Sequence, residues 1–236
     1  FPAVFNDFLQ VSEDSYNRFE IVSLQRIIRY MAVCFTLLFS GTYLAVTNFH
    51  TQVLPTALIL SFSEARQGVP FPGMLEILFM ELAFETIREA GIRMPGPLGG
   101  TIGIVGGLIV GQAAVEANLV SPIVVVVVAI TALCSLSIPS ESFSAPFRLL
   151  KFGFILLGGS FGIFGILLGL YLTVSHLAGL KSFGIPYLSP FAAKMEAGYC
   201  GERDSIIRIP FRFLTRRPVY ARKEQQIKLR SKGGEQ

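Results

Sequence analysis

Glu81, Glu85 and Glu89 recur at four-residue intervals in GMLEILFMELAFETIREAG (Gly73–Gly91), with Arg88 among them. At about 100° per helical residue these four groups share a stripe about 100° wide, and Glu76 points away from it. Two kinds of chemistry fit such a stripe. Carboxylates gathered at a pore mouth concentrate cations, as acidic rings do in cation channels, which makes Glu81, Glu85 and Glu89 a candidate acidic vestibule. The plainer reading is the solvated face of an interfacial helix, with an Arg88–Glu85 pair at i,i+3 contributing only about 0.2–0.5 kcal/mol.

A second set lies in GGTIGIVGGLIVGQAAVEANLV (Gly99–Val120), where Gly99, Gly103, Gly107 and Gly111 stand four residues apart. Each step of four drifts by only about 40° around a helix, so the glycines form one ridge. Glycine is a poor helix residue in water, but between membrane helices small residues let backbones touch. The ridge fits packing inside one chain or against a neighbouring copy. The opposite face carries Thr101, Val105, Leu108, Gln112 and Glu116. Polar groups near the ends and an apolar middle suit a pore wall that closes by dewetting, with Val105 and Leu108 as gate. Gln112 and Glu116 would then face cations towards the cytoplasmic end. The competing reading has Gln112 and Glu116 bonded to another helix or at the interface, with Val105 in ordinary packing.

Nothing in the sequence points to catalysis. Ser140, Ser142 and Ser144 have no elbow glycines and no nearby histidine. His50 and His176 are far apart, and Cys34, Cys134 and Cys200 are scattered without metal-ligand spacing. No enzyme activity, cofactor or metal is expected.

These groups must be positioned by helices in lipid. The 236 residues are 52% hydrophobic and only 15% charged, with a mean hydropathy of +0.58. That composition predicts an all-α, polytopic membrane bundle with about four full spans, since a crossing takes roughly 20 apolar residues. The spans are expected at 30–49, 98–115, 122–139 and 152–177, the last with Gly158/Gly162 and Gly165/Gly169 each four apart. Val53–Phe62 is too short to cross and carries Pro55, so a re-entrant or interfacial piece is expected there, with 73–91 on or within the outer half of the membrane, or paired with 53–62 as a re-entrant hairpin. Three regions follow: an amphipathic pre-membrane segment (1–29), a transmembrane domain (30–193) and a basic tail (194–236). The tail holds eleven basic and five acidic residues, and Arg18, Arg26 and Arg29 precede the first span. This bias predicts both ends in the cytoplasm. With no nucleic-acid motif in the tail, its expected partner is anionic lipid, "IPFRFLTRRP" lying along the surface. The start, which is neither an initiator methionine nor a signal peptide, reads as that of a fragment.

EARQGVPFPGMLEILFMELAFETIREAGIRMPGPLGGTIGIVGGLIVGQAAVEANLVSP, LKSFGIPYLSPFA and the opening FPAVFNDFLQVSEDSYNRFE resemble the bacterial spore germination receptor A-subunit family, over about residues 1–193. The resemblance implies a subunit of a germinant receptor complex in the spore inner membrane. It implies a homo-oligomeric ring acting as a ligand-gated ion channel beside B-type and C-type subunits. A stage V sporulation branch of the family looks like an accessory channel amplifying ion release. SPFAA here departs from the more usual SPFAP or SPLAP, and the branch stays open. A secondary transporter is the remaining alternative. It calls for internal repeats, and the surroundings of the two glycine-rich spans do not repeat.

Overall fold

A computed structural model describes residues 3–93, 98–189, 191 and 205–208, with the backbone alone at 98–102 and 104. The elements are α1 (Phe19–Phe49), α2 (Thr56–Ala65), α3 (Gly73–Arg93), α4 (Leu98–Glu116), α5 (Pro122–Leu136), α6 (Glu141–Gly179) and a hairpin of β1 (Lys181–Ser182) and β2 (Ile185–Pro186). Two short 3-10 turns, Phe5–Leu9 and Ser12–Ser15, precede α1. The chain forms two compact units, one of Ala32–Tyr171 and one combining the residues up to Met31 with those from Leu172.

In the Ala32–Tyr171 unit the helices alternate in direction. Ser40 of α1 meets Glu81, while Leu44 and Met74 meet over Gly159, so α3 runs against α1. Gly106 lies on Ile87 and Gly107 on Phe84, which turns α4 back against α3. On α5, the Ser121 amide faces Glu76 and Thr131 faces Ser40, so α5 descends beside α3. The first part of α6 rises again, with Arg148 at Glu85, Lys151 at Glu81 and Gly159 at Met74. Leu44, Ile77, Met80, Ala114, Val120, Val124, Val128 and Ile155 close the centre. In lipid, which is as apolar as these side chains, such a centre holds by close packing.

This arrangement corrects the expected one at three points. First, α3 is the central helix of the unit and not an interfacial one: Glu76, Ile77, Met80 and Glu81 are all buried. Burial is tolerable because its carboxylates meet cations from other helices. Second, because α3 passes between them, α4 runs parallel to α1. Glu116 therefore lies at the end where α1 finishes, opposite to the expected placement.

Third, α6 starts at Glu141, eleven residues early, and it is not one rod. Gly162 sits at φ 62°, ψ −145°, outside any helical conformation. In a straight helix Phe154 and Gly169 would be about 22 Å apart. Here a Cβ on Gly169 would lie 3.0 Å from the Phe154 ring, and a Cβ on either Gly158 or Gly41 would lie 3.0 Å from Ile166. The chain thus folds back at Gly162 into two arms. A positive φ with that ψ is open to glycine and closed to residues with a Cβ.

Among the described residues, two helices, α1 and α6, are long and apolar enough to cross a membrane. The 15 residues of α5 span about 22 Å, short of a hydrocarbon core of about 30 Å. Between α1 and α3, α2 buries no residue.

The other unit is organised by Asp14. Its buried carboxylate accepts hydrogen bonds from Arg29 Nη1 at 3.0 Å, Arg26 Nε at 3.3 Å and the Val11 amide at 3.3 Å. Burial pushes its pKa up, but the hydrogen bonds from Arg29, Val11 and Arg26, with the Arg29 charge, hold it below the ordinary 3.8. A depressed carboxylate stabilises the fold above its unfolded pKa, and that contribution disappears as pH falls through the lower folded value. This unit is expected to loosen below about pH 4, and Asp14→Asn to remove that acid step while costing about 3 kcal/mol, since a neutral amide replaces the buried anion that Arg26 and Arg29 share. Circular dichroism melts of both proteins from neutral pH to pH 3 test this. The hairpin is tied into the same unit by the Phe5 amide on the Tyr187 carbonyl at 2.9 Å and by edge-on packing of the two rings.

Candidate functional site

The site the sequence singled out is built by α3, α4, α5 and the start of α6. These helices leave a cavity of about 1020 Å³. Its walls include Phe84, Ile87, Leu108, Val125 and Leu133, with Glu85, Arg88, Glu141 and Lys151 among its charged groups. Gly103, Gly107 and Gly111 line it together with Leu108, Gln112 and Glu116, so the ridge and part of the opposite face meet one space.

The ridge glycines do different things. Gly107 packs on Phe84, where a Cβ would come within 2.9 Å of the ring, and Gly111 packs on Val125, where a Cβ would lie 3.0 Å away. Gly103 has nothing within 4 Å. Gly99 lies in the first turn of α4, where only the backbone is described. The other face of α4 is uncovered: Val105 is 47% and Leu108 60% exposed, and Gln112 and Glu116 are exposed too. Val105 does not line the cavity. The side chain of Thr101 lies outside the described residues.

The acidic stripe divides in three. Glu81 is completely buried, 2.6 Å from Lys151 Nζ and accepting a 2.6 Å hydrogen bond from Ser40, which also contacts Thr131 at 3.1 Å. Glu85 is half-buried and pairs with Arg148 at 2.8 Å, with Lys151 at 3.8 Å. The i,i+3 pair with Arg88 does not form; Arg148 of α6 takes Glu85 instead. Glu89 is exposed and binds Arg93 one turn on at 2.8 Å. Glu76, which the helical wheel set apart, is the second buried carboxylate of α3. It takes Arg66 at 3.2 Å and the Ser121 amide at 2.9 Å, capping the start of α5. A carboxylate at a helix N-terminus also complements its dipole.

Lys151, Arg148, Arg66 and Ser40 were missed by sequence reasoning. Lys151 alone carried a signal: a lone lysine beside a long apolar stretch, the pattern of an intramembrane charge that needs a partner. Among the described residues no cluster has the makings of a metal site. The basic tail lies outside the described residues except for Ser205–Arg208, whose Ser205 carbonyl accepts from Arg26 at 3.3 Å.

A family model described as Bacillus/Clostridium GerA spore germination protein matches residues 1–220. Spore germination protein KA of Bacillus subtilis (strain 168) is 40% identical over 227 residues, covering 96% of this chain and 41% of that protein. Spore germination protein GerLA of Bacillus cereus is 43% identical over 219 residues, covering 93% and 44%. The uncharacterized membrane protein YfkQ of Bacillus subtilis (strain 168) is 41% identical over 222 residues, covering 94% and 43%. The chain spans less than half the length of these relatives. No solved structure matches. With the family model covering nearly all of it and such relatives aligned along most of its length, the chain belongs to the GerA family of spore germination proteins.

Proposed function

We propose that the chain is the membrane part of a germinant receptor subunit that assembles as a ring around a ligand-gated cation path. The observation that carries this reading is α4. Two of its glycines pack inward on α3 and α5, while Val105, Leu108, Gln112 and Glu116 remain uncovered on a single chain. A surface mixing Gln112 with apolar residues is unusual against lipid and suits a water-filled path shared by several copies. Thr101 would continue this face, and Gly103, open in one chain, would meet the neighbouring copy. Glu81 is neutralised by Lys151, Glu85 by Arg148 and Glu89 by Arg93, so cation attraction falls to Glu116.

In this reading the alternating helices cross the spore inner membrane an even number of times and return both ends of the chain to the cytoplasm. The basic tail meets anionic lipid, and B-type and C-type receptor subunits complete the complex. The activity is transport of ions, not catalysis. An accessory sporulation channel that amplifies ion release would use the same path.

Cation flux through the reconstituted protein tests the reading. Val105→Ser should raise flux several-fold without ligand, because a hydroxyl rewets an apolar constriction. If the variant assembles and stays as closed as the parent, α4 does not carry the gate.

A further inference from the structure

The β1–β2 hairpin turns through Phe183 and Gly184, both at positive φ, 51° and 84°. A two-residue turn of this kind favours Asn-Gly, since both central residues must be left-handed. Apart from glycines, the described residues contain just one other position at positive φ, Asn118, a residue type that tolerates it. Phenylalanine does not, and contacts within the chain do not offset the strain: Phe183 is 87% exposed. The hairpin beneath it is held firmly. The Tyr187 amide bonds to the Leu180 carbonyl at 2.9 Å, and Ser182 Oγ accepts from the Ala3 amide at 3.2 Å. A single exposed apolar residue is ordinary; one held rigidly in an unfavourable conformation at a hairpin tip is not.

Position supplies the occupant. Phe183 lies four residues beyond Gly179, where the apolar α6 ends, and Leu180 and Lys181 beside it are exposed. An aromatic ring, an aliphatic side chain and an ammonium group next to the end of an apolar helix suit the headgroup layer of a bilayer. We propose that the hairpin tip is an interfacial anchor. The Phe183 ring enters the boundary between headgroups and acyl chains, and Lys181 meets the phosphates of anionic lipid. The inference rests on α6 lying in the membrane.

The chain contains no tryptophan, so one introduced by Phe183→Trp reports on that position alone. The full chain would be reconstituted in phosphatidylglycerol–phosphatidylcholine vesicles containing lipids brominated either near the carbonyl end or near the methyl end of the acyl chain. Phe164→Trp, at a 70% exposed position on α6, serves as control. The Phe183→Trp emission is expected to be quenched severalfold more by the shallow bromines than by the deep ones, and only weakly by aqueous acrylamide. Quenching of Phe164→Trp without quenching of Phe183→Trp overturns the anchor and leaves the membrane reading standing. If neither is quenched, the membrane reading fails and the anchor with it. Protection of Phe183→Trp from acrylamide without bromolipid quenching means a protein surface covers the tip, and also overturns the proposal.

Discussion

Replacing Lys151 by methionine should be among the most damaging single changes in the Ala32–Tyr171 unit, costing about 3–5 kcal/mol. Glu81 has no solvent exposure, and Lys151 supplies its only ion pair among the described residues, at 2.6 Å. Without the ammonium, the carboxylate must either stay charged with only Ser40 beside it or take up a proton. Glu81→Leu alone should cost a similar amount, because the strongly hydrated ammonium of Lys151 is then left beside Glu85 at 3.8 Å, whose nearer partner is Arg148. The double variant Glu81→Leu/Lys151→Met should be more stable than either single one, since two apolar side chains remove both desolvation penalties together. Ser40 and Thr131 would still bond to one another at 3.1 Å. A double-mutant cycle of unfolding in detergent measures this. If each single variant melts like the parent, the pair is not buried in the native protein.

The second large effect is expected where α1 crosses α6. A Cβ on Gly158 would strike the carbonyl of Gly41, and a Cβ on Gly41 would lie 2.6 Å from the carbonyl oxygen of Phe154. Both obstacles are backbone, so the helices must separate to admit any side chain. Gly158→Ala should cost about 1–3 kcal/mol, the range for overpacking, and Gly158→Leu should prevent the unit from folding. Gly103→Leu is the contrast, because nothing lies within 4 Å of that position. It should leave the fold intact and, if copies meet along α4, block their assembly. Protease resistance of the monomer and its oligomeric state in detergent separate the two outcomes. A Gly158→Leu protein as resistant as the parent would show that α1 and α6 do not touch there.

The sequence by itself determined the class of the molecule and most of its helices. Apolar runs bounded by Pro72, Pro122 and Pro139 end or begin helices because proline cannot continue one from behind, and those boundaries returned within a few residues. The stripe on α3 and the ridge on α4 were legible for the same local reason, since residues three and four apart share a face. Tertiary structure alone decided what each face meets. Glu81 and Lys151 are 70 positions apart, and no periodicity couples them. The helical wheel grouped Glu81 with Glu85 and Glu89 and excluded Glu76, yet Glu76 and Glu81 are the buried pair, because α3 is enclosed on several sides by α1, α4, α5 and α6 and a wheel assumes one wet face. Gly162 was read as one more small residue in a spanning run. Its spacing suits a packing ridge as well as a reversal, and only backbone angles separate them: at positive φ the chain folds back and Gly165 and Gly169 become the contact between its own two arms.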